Sequence, residues 1–326
     1  MNKLDLSDIK RPVSDELGEF EKVFKSNLKS KVALIDLVAK YILRQKGKKV
    51  RPLLVLLAAK LAGSITERTH RGATLVELLH TATLVHDDVV DGAEKRRGFP
   101  SINAIWKNKV AVLMGDYLLS RGLLIAVENS DFDFLKTVTR TVKRMSEGEL
   151  LQISKTKKLN NDEETYFRII GDKTASLLST CCEIGALSAT SDMEKVTALH
   201  NFGEFLGMAF QIRDDILDYV GTSKIIGKTP GRDIKDKKLT LPLIYALTQS
   251  SKAESQKILK YVKSGEKNKN VADVIRFVME KGGLDYADKV ASEFAGKAKS
   301  ELANFEDSES KRALIGLIDF VISRKS

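Results

Sequence analysis

The apolar residues of this chain recur with the period of an α-helix along almost its whole length, and this pattern limits the folds open to it. Between residues 32 and 42, apolar side chains fall three and four residues apart, with Lys and Arg between them. A second stripe covers 75–85. The chain has only 5 prolines and 6% aromatic residues, which favours helix over sheet. We therefore predict an all-α fold.

Several more helical segments follow one another with short breaks between them. Further helices are expected over 109–129, 132–157, 162–189, 193–220, 241–249, 270–304 and 308–324. The breaks fall at 92–101, 221–240 and 264–270, where Gly, Pro or charged residues cluster. No alternating strand of useful length occurs, and no break resembles a long flexible linker. We expect residues 1–326 to form one large helical domain.

The chain is basic, with 54 Lys and Arg against 44 Asp and Glu, a formal net charge of +10. This excess suits a polyanionic partner, which could be nucleic acid, an anionic membrane surface or a phosphorylated metabolite. With 326 residues, 43% of them hydrophobic, the chain can bury a large core. Charge alone does not choose among the three partners.

The sequence predicts a cytoplasmic protein. Its N-terminus has no apolar core of signal-peptide length, and uninterrupted apolar stretches such as 53–59 are far too short to span a bilayer. Cys181 and Cys182 are adjacent within an apolar run, and neighbouring residues rarely form an unstrained disulfide. We expect two reduced, buried thiols.

One acidic motif, Asp-Asp-x-x-Asp, occurs twice, at 87–91 and at 214–218. Each copy stands at the C-terminal end of an apolar helical stretch, where the helix dipole disfavours acids. The first and last aspartates of each copy lie on one helix face, so their carboxylates repel each other unless a cation sits among them. An all-oxygen site of this kind suits Mg²⁺, which also takes substrate phosphates as ligands. Two solvated, acidic helix ends are the ordinary alternative for a single copy, and the repetition disfavours it.

Basic residues follow each acidic motif. Arg96 and Arg97 come after the first copy, and Lys228 and Lys238 come after the second. Arginine suits bidentate contact with phosphate, whereas lysine supplies a mobile point charge. Further upstream, GKKVRP at 47–52 is a compact basic cluster ahead of an apolar helix. Acids and bases in this order indicate a site for magnesium and phosphorylated substrates.

Seven segments in this order resemble the trans-type prenyl diphosphate synthases. The matching segments are GKKVRP (47–52), ELLHTATLVHDDVVD (77–91), RRG (96–98), GDKTA (171–175), FQIRDDILD (210–218), GK (227–228) and KLTLP (238–242). The resemblance extends over almost the whole chain, and the residues around the first motif look most like the synthases that make long quinone side chains. The first cluster reads GKK where GKR is common, so Lys49 is given no role.

The resemblance implies a helical bundle around a deep central cavity, usually a homodimer, with about three Mg²⁺ held between the two motifs. The implied metal ligands are Asp87, Asp91 and Asp214, with Asp88, Asp215 and Asp218 in support. The residues that match isopentenyl diphosphate contacts are Lys48, Arg51, His80 and Arg97. Those that match the surroundings of the allylic diphosphate are Arg96, Lys173, Thr174, Gln211, Lys228 and Lys238. An unpaired Lys173 in an apolar helix is costly, which independently favours an anionic ligand there.

The helix before the first motif also carries an expectation about product length. Short-chain members of the family often have Phe or Tyr four or five residues before the first aspartate, as a floor of the cavity. Here the two residues are Ala82 and Thr83. Five residues place Ala82 ~7.5 Å from Asp87 along the axis. Small side chains at both positions predict an open tunnel and a product of C25 or longer, although small residues also serve simply to let helices pack closely.

Four other functions are weighed against this one. A short-chain synthase making a C15 or C20 product shares every motif. A class I terpene cyclase shares the bundle, but its second metal motif usually mixes Asn or Asp, Ser or Thr, and Glu, whereas this chain has DDILD. A non-catalytic synthase subunit loses the aspartates, which are intact here. A nucleic-acid binder is suggested by charge alone and leaves the paired motifs unexplained. We expect at most a peripheral membrane contact, for product release.

Overall fold

The computed structural model describes residues 5–45, 47–96, 98–159, 162–220, 231–264 and 268–324. The first helices are α1 (Leu6–Lys10), α2 (Ser14–Asn27), α3 (Ala33–Arg44), α4 (Val50–Ala62), α5 (Glu67–Val90), α6 (Ile102–Glu128), α7 (Phe132–Lys158) and α8 (Glu163–Ile170). The later ones are α9 (Ser176–Ala189), α10 (Met193–Val220), α11 (Arg232–Lys235), α12 (Leu241–Thr248), α13 (Lys252–Ser264), α14 (Asn268–Glu280), α15 (Gly283–Glu301) and α16 (Glu309–Ser323).

Three short elements complete the described chain. A 3-10 turn covers Arg11–Val13, and a π-helical turn, Gly171–Ala175, joins α8 to α9. Strands β1 (Lys95–Arg96) and β2 (Phe99–Pro100) pair antiparallel between α5 and α6. These two-residue strands are too short to show a period of two, so the sequence did not reveal them. The all-α prediction is confirmed.

Side-chain caps fix where several of the helices begin. The hydroxyl of Ser308 accepts the backbone N–H of Lys311 at 3.1 Å at the start of α16. The carboxylate of Asp162 accepts the N–H of Thr165 at 2.8 Å at the start of α8. Each bond satisfies one of the backbone donors that a helix leaves open in its first turn. Local chemistry therefore sets these boundaries.

The centre of the bundle consists of helices that are apolar on every side. Every residue from Leu53 to Ala59 in α4 is 0% exposed, and α9 is buried over most of its length. α4 packs along α9, α10 packs between α9 and α15, and α5 packs along α6. A helix that is hydrophobic all round must lie in the interior. This packing places the C-terminal ends of α5 and α10 beside one cavity, which Asp88 and Asp214 both line.

Two predicted helices are each divided in the structure. The segment predicted at 162–189 contains the π-helical turn, whose hydrogen bonds span five residues instead of four. The segment predicted at 270–304 breaks at Lys281 and Gly282, where Gly282 has a φ of 72°. Apolar spacing continues through both interruptions, because the helices on either side bury faces against the same core. Periodicity alone therefore could not locate them.

The two cysteines are buried and free of any disulfide, as predicted. Both side chains are 0% exposed within α9. Burial disfavours the charged thiolate, and it raises the pKa of Cys181 to about 12. These thiols are packing groups of the core.

Among the described residues, α6 is the one helix with the length and composition to cross a membrane, although only 39% of its apolar window is buried. Asp116 and Arg121 divide its apolar run, so the sequence shows no long uninterrupted apolar stretch there. One side of α6 packs on α5. Large apolar side chains on its open side are Ile105, Val112, Leu113, Leu124 and Val127. A surface this apolar indicates a further partner.

The contact of α4 with α9 generates a stability prediction. A methyl group added at Gly185 would lie 2.3 Å from the backbone oxygen of Val55, so the two helices would have to separate. We expect Gly185→Ala to lower the free energy of unfolding by about 1–3 kcal/mol. Gly296→Ala is the matched control, because nothing lies within 4 Å of the added methyl in α15. That variant should gain about 0.5–1 kcal/mol from helix propensity.

Urea unfolding of both variants, followed by circular dichroism, measures the two changes. A Gly185→Ala protein as stable as the Gly296→Ala protein would show that α4 and α9 are not in backbone contact.

Candidate active site

The first acidic motif lies at the C-terminal end of α5. Asp88 is buried, and one of its oxygens accepts a hydrogen bond from Arg96 Nε at 2.8 Å. Asp91 follows the last helical residue, is exposed, and donates its backbone N–H to the carbonyl oxygen of Asp87 at 2.8 Å. The three aspartates therefore have different surroundings. Asp88 is tied to a guanidinium, whereas Asp91 is open to solvent.

The surroundings of Asp87 destabilise its charged carboxylate, and a bound cation would stabilise it. Burial raises the pKa of Asp87, and the Lys173 ammonium opposes that rise. The neighbouring carboxylates of Glu149 and Asp91 raise its pKa further. A carboxylate that is desolvated and crowded by other acids is held in its charged form at a cost. A bound divalent ion would offset that cost.

The second acidic motif lies near the end of α10. Asp214 is exposed, while Asp215 is buried and accepts hydrogen bonds from Tyr166 Oη and Gln211 Nε2, both at 2.8 Å. Burial raises the pKa of Asp215, the nearby Asp233 carboxylate raises it further, and the two hydrogen bonds oppose the rise. Both Asp215 oxygens thus have protein donors. The residue holds α10 in place against α8.

Asp218 has a structural contact that the sequence did not indicate. Its two oxygens accept the backbone N–H groups of Arg232 at 3.1 Å and Asp233 at 2.9 Å, and its carbonyl oxygen accepts the N–H of Gly231 at 2.8 Å. A carboxylate at the N-terminus of α11 is a favourable cap. The expectation that Asp218 supports a metal ion therefore competes with this capping role, and in this structure the cap occupies both oxygens.

Two of the predicted substrate residues belong to the π-helical turn. Lys173 Nζ lies 2.5 Å from Glu149 Oε2 and donates to Gln152 Oε1 at 3.1 Å, so α7 neutralises its charge. Thr174 Oγ1 donates to Gln211 Oε1 at 2.9 Å, which connects the turn to α10. The Lys173 ammonium is not left unpaired in the core. Its carboxylate partner is one that a diphosphate could displace.

A cavity of 980 Å³, the large cavity, brings together residues from both motifs and from the basic cluster at 47–52. Its charged and polar walls include Lys48, Arg51, His80, Asp88, Arg96 and Asp214, and its apolar walls include Leu178, Leu206, Phe210 and Phe320. The sequence grouped Arg96 with the allylic residues, yet in the structure it lines the same cavity as the residues matched to isopentenyl diphosphate. Adjacent loops and helices thus give one cavity both charged and apolar walls.

A second cavity of 130 Å³, the small cavity, collects most of the predicted allylic residues. Its walls include Lys173, Thr174, Gln211, Asp215, Asp233 and Lys238. Lys238 Nζ is 3.7 Å from Asp233 Oδ1 and 3.6 Å from Asp236 Oδ2. The two predicted groups of residues are therefore largely separated in space. Arg97 and Lys228, one from each group, lie outside the described residues.

The residues predicted to set product length lie on α5. Ala82 is 1% exposed and belongs to the apolar cluster between α5 and α6, with Leu78 and Met114. The Thr83 hydroxyl donates to the carbonyl oxygen of His80 at 2.8 Å. Neither side chain is among the residues that line the large cavity. Their role in product length stays a prediction.

Several residues at the site were not singled out from the sequence. Glu149 and Gln152 contact Lys173, Tyr166 contacts Asp215, and Arg324 Nη2 lies 3.9 Å from Asp214 Oδ1. The pair at 149 and 152 had a signal, since two polar residues three apart face the same way on a helix. Arg324 had none, because it lies more than a hundred residues from its neighbour Asp214.

The acidic residues fit a magnesium site that the substrate completes. Among the described residues, no three Asp, Glu, His or Cys side chains lie close enough together to hold an ion by themselves. Mg²⁺ ordinarily keeps several waters and takes one or two carboxylates plus substrate phosphates. The exposed oxygens of Asp91 and Asp214 and the crowded carboxylate of Asp87 are of this kind. The donor set is therefore suitable for Mg²⁺ with a diphosphate.

The sequence matches the family model described as "Polyprenyl synthetase" over residues 32–280. It is 35% identical over 318 residues to an all-trans-nonaprenyl-diphosphate synthase of Rhodobacter capsulatus, covering 97% of each chain. It is also 31% identical over 326 residues to a short chain isoprenyl diphosphate synthase of Methanothermobacter thermautotrophicus, covering 99% of each. Similarity thus extends to relatives with both long and short products.

A solved structure shares the fold over the whole chain. The polyprenyl synthase of Caulobacter crescentus, in complex with calcium and isoprenyl diphosphate, superposes with a TM-score of 0.91. The two sequences are 34% identical, and the match covers 100% of each chain. The two proteins therefore share the same arrangement of helices.

Proposed function

Since this chain belongs to the polyprenyl synthetase family, we propose that it condenses isopentenyl diphosphate with an allylic diphosphate in head-to-tail, trans fashion. The product is a polyprenyl diphosphate of C25 or longer, together with pyrophosphate. The observation that carries the proposal is that both acidic motifs and the basic cluster meet at one cavity with an apolar interior. Such a cavity can bind two anions at its mouth and a growing hydrocarbon below them.

The family resemblance divides the substrate-binding residues into two groups, and of their described members only Arg96 lines the cavity of the other group. Isopentenyl diphosphate is bound by Lys48, Arg51, His80 and Arg97. The allylic diphosphate is bound by Arg96, Lys173, Thr174, Gln211, Lys228 and Lys238. The ion pair of Lys173 with Glu149 supports this division, because a diphosphate can replace the carboxylate as the partner of the ammonium. Lys173 then stabilises the negative charge that develops on the leaving group.

About three Mg²⁺ ions bind with the substrates. Asp87, Asp91 and Asp214 are the proposed ligands, since the oxygens of Asp215 and Asp218 already accept hydrogen bonds within the protein. When bound, the ions supply Lewis-acid charge that stabilises pyrophosphate as a leaving group. Asp88 holds Arg96 at the cavity mouth instead of facing an ion directly.

The protein residues control a reaction in which the substrates make and break the bonds. The carbon–oxygen bond of the allylic diphosphate breaks, and its electron pair leaves with pyrophosphate. The double bond of isopentenyl diphosphate attacks the allylic cation, and the proton then lost goes to pyrophosphate. Water would quench the cation, so apolar walls such as Leu178, Leu206 and Phe210 exclude it. No protein nucleophile is needed.

Two other functions, those of a terpene cyclase and of a non-catalytic synthase subunit, fit the structure less well. A terpene cyclase needs no site for isopentenyl diphosphate, yet Lys48, Arg51 and His80 line the large cavity together. A non-catalytic subunit needs no acidic motifs, yet Asp87 and Asp214 are both present at the site. A cytoplasmic location agrees with water-borne substrates, with at most peripheral membrane contact when the product leaves.

Removal of a metal ligand tests the proposed reaction. Asp87→Ala and Asp214→Ala should each lower turnover more than ~100-fold, because each removes at least ~3 kcal/mol of transition-state stabilisation. Turnover is measured from purified protein with Mg²⁺, isopentenyl diphosphate and allylic primers of C5 to C20. Asp285→Ala in the first turn of α15 is the control and should keep full activity.

Near-normal turnover by either motif variant, with unchanged helical circular dichroism, would overturn the two-motif reaction. An inactive wild-type protein with all primers would overturn the proposed function itself.

Product length is tested at the two small residues of α5. Thr83→Tyr and Ala82→Tyr should shift the product to C15 or C20, because a large ring would close the tunnel beside the chain. Since Ala82 is fully packed against α6, its variant is also expected to lose stability. Thr83 is only partly buried and gives the cleaner test. Chromatography of the dephosphorylated products measures their length.

An unchanged long product from both Tyr variants would show that the wall lies elsewhere. A wild-type product of C15 or C20 would contradict the proposed C25 limit and favour the short-chain alternative.

We also propose that two copies pair through the open side of α6. Leu113 is 58% exposed, and Val112 and Leu124 lie on the same open side. α6 is kinked at Lys107, where φ is 72°, and the apolar stripe that follows the kink can bury against its own copy. Burial of Asp116 and Arg121 in a lipid bilayer would instead be expensive. The stripe therefore favours a homodimer over a membrane span.

Sedimentation of a charged variant tests the dimer. Leu113→Glu should convert the dimer to monomer, because pairing would bury an unpaired charge at a cost of several kcal/mol. Met279→Glu is the matched control, since Met279 is 56% exposed on α14. Equal sedimentation of both variants and the wild type would rule out α6 as the interface.

A further inference from the structure

One guanidinium joins three elements behind the small cavity. Arg144 of α7 donates from Nε to Asp172 Oδ1 at 2.9 Å and from Nη2 to Glu204 Oε1 at 2.7 Å. A third bond runs from its Nη1 to Glu204 Oε2 at 3.3 Å. Asp172 belongs to the π-helical turn, and Glu204 belongs to α10. The three side chains are 31%, 17% and 23% exposed, so water screens them less than a surface pair.

The backbone of the π-helical turn is pressed between the same two helices. A methyl group added at Gly148 of α7 would lie 2.9 Å from Asp172 Cβ. A methyl group added at Gly207 of α10 would lie 2.4 Å from Ala175 Cα. α7 and α10 therefore contact opposite ends of the turn directly. Turns of this kind are uncommon and often occur at functional sites.

The turn and α10 also share the polar residues of the small cavity. Thr174 Oγ1 donates to Gln211 Oε1, and Gln211 Nε2 donates to Asp215 Oδ1. Gln211 follows Glu204 by two helical turns, so both face the π-helical turn. The position of Arg144 therefore sets the position of Lys173 and Thr174 relative to the second acidic motif.

We propose that Arg144 is a positioning residue for the allylic diphosphate. It acts through Asp172 and Glu204, and it holds the π-helical turn in register with α10 so that Lys173 and Thr174 meet the substrate. This proposal rests on the proposed function, because Lys173 and Thr174 are its allylic contacts. Arg144 lines neither cavity, so its effect is on geometry and not on direct binding.

Arg140 offers a matched comparison one turn earlier on α7. Its Nη2 donates to both oxygens of Glu183 on α9 at 2.8 Å, so it also joins two helices by a guanidinium–carboxylate pair. It has no contact with the π-helical turn among its described bonds. A purely structural role for Arg144 predicts that both arginines behave alike. A positioning role predicts that they differ.

The test compares Arg144→Lys with Arg140→Lys. Lysine keeps the positive charge, but it lacks the planar guanidinium donors with which Arg144 bonds two carboxylates at once. Arg144→Lys should raise KM for the allylic diphosphate about 10-fold, the loss expected for one charge-assisted hydrogen bond, with KM for isopentenyl diphosphate changed less than about twofold. Arg140→Lys should leave both constants near their wild-type values. In the ligand-free protein, hydrogen exchange should quicken at 171–175 only in Arg144→Lys.

Two other results would contradict the positioning role of Arg144. Equal changes in both KM values, or equal exchange at 171–175 in the two variants, would overturn it. If Arg144→Lys does not fold, Glu204→Gln weakens the same ion pair from its carboxylate side and should show the same allylic effect. If the wild type makes no product, the proposed function fails, while exchange in the ligand-free protein still reports whether Arg144 holds the turn.

Discussion

Carboxylates at the edge of an apolar bundle repel one another and lose hydration, and the arrangement of the site follows from that cost. Burial raises the pKa of Asp87, Asp215 and Asp233. The protein offsets part of this with donors, as when Tyr166 and Gln211 bond both oxygens of Asp215. Within the described part of the chain Asp87 has no such pair of donors, and Lys173 and Arg96 are the cations that oppose the rise in its pKa. A divalent ion bound at these carboxylates would offset the remaining cost.

The six aspartates of the two motifs consequently have different roles. Asp215 and Asp218 are held by donors from the protein, and Asp88 holds Arg96 at the cavity mouth. Asp91 and Asp214 face solvent. Aspartates of the same repeated motif therefore have different roles, because their burial and their neighbours differ from one position to the next. A repeated motif predicts the kind of chemistry better than it predicts the role of each member.

The apolar interior of the bundle contributes to the same chemistry. α4 and α9 are buried on every side and approach within backbone contact at Gly185, which makes the centre dense. Residues of both helices line the large cavity, which has charged walls as well as walls of Leu, Val and Phe side chains. Charged walls of this kind can bind diphosphates, and apolar walls can pack against a hydrocarbon chain.

The sequence by itself determined the helical class, most helix positions, the two acidic motifs and the family, because apolar period and motif spacing are local properties of a chain. Through resemblance it also predicted a set of site residues, and the structure places Lys48, Arg51 and His80 on one cavity and Lys173, Thr174 and Gln211 on another. Only the tertiary structure decided that Asp218 caps α11, that Arg96 pairs with Asp88 and that Arg144 joins Asp172 to Glu204. It also decided where the π-helical turn interrupts the helix predicted at 162–189. These contacts join residues on different elements, and they depend on how the helices cross and what they bury, which local periodicity does not encode.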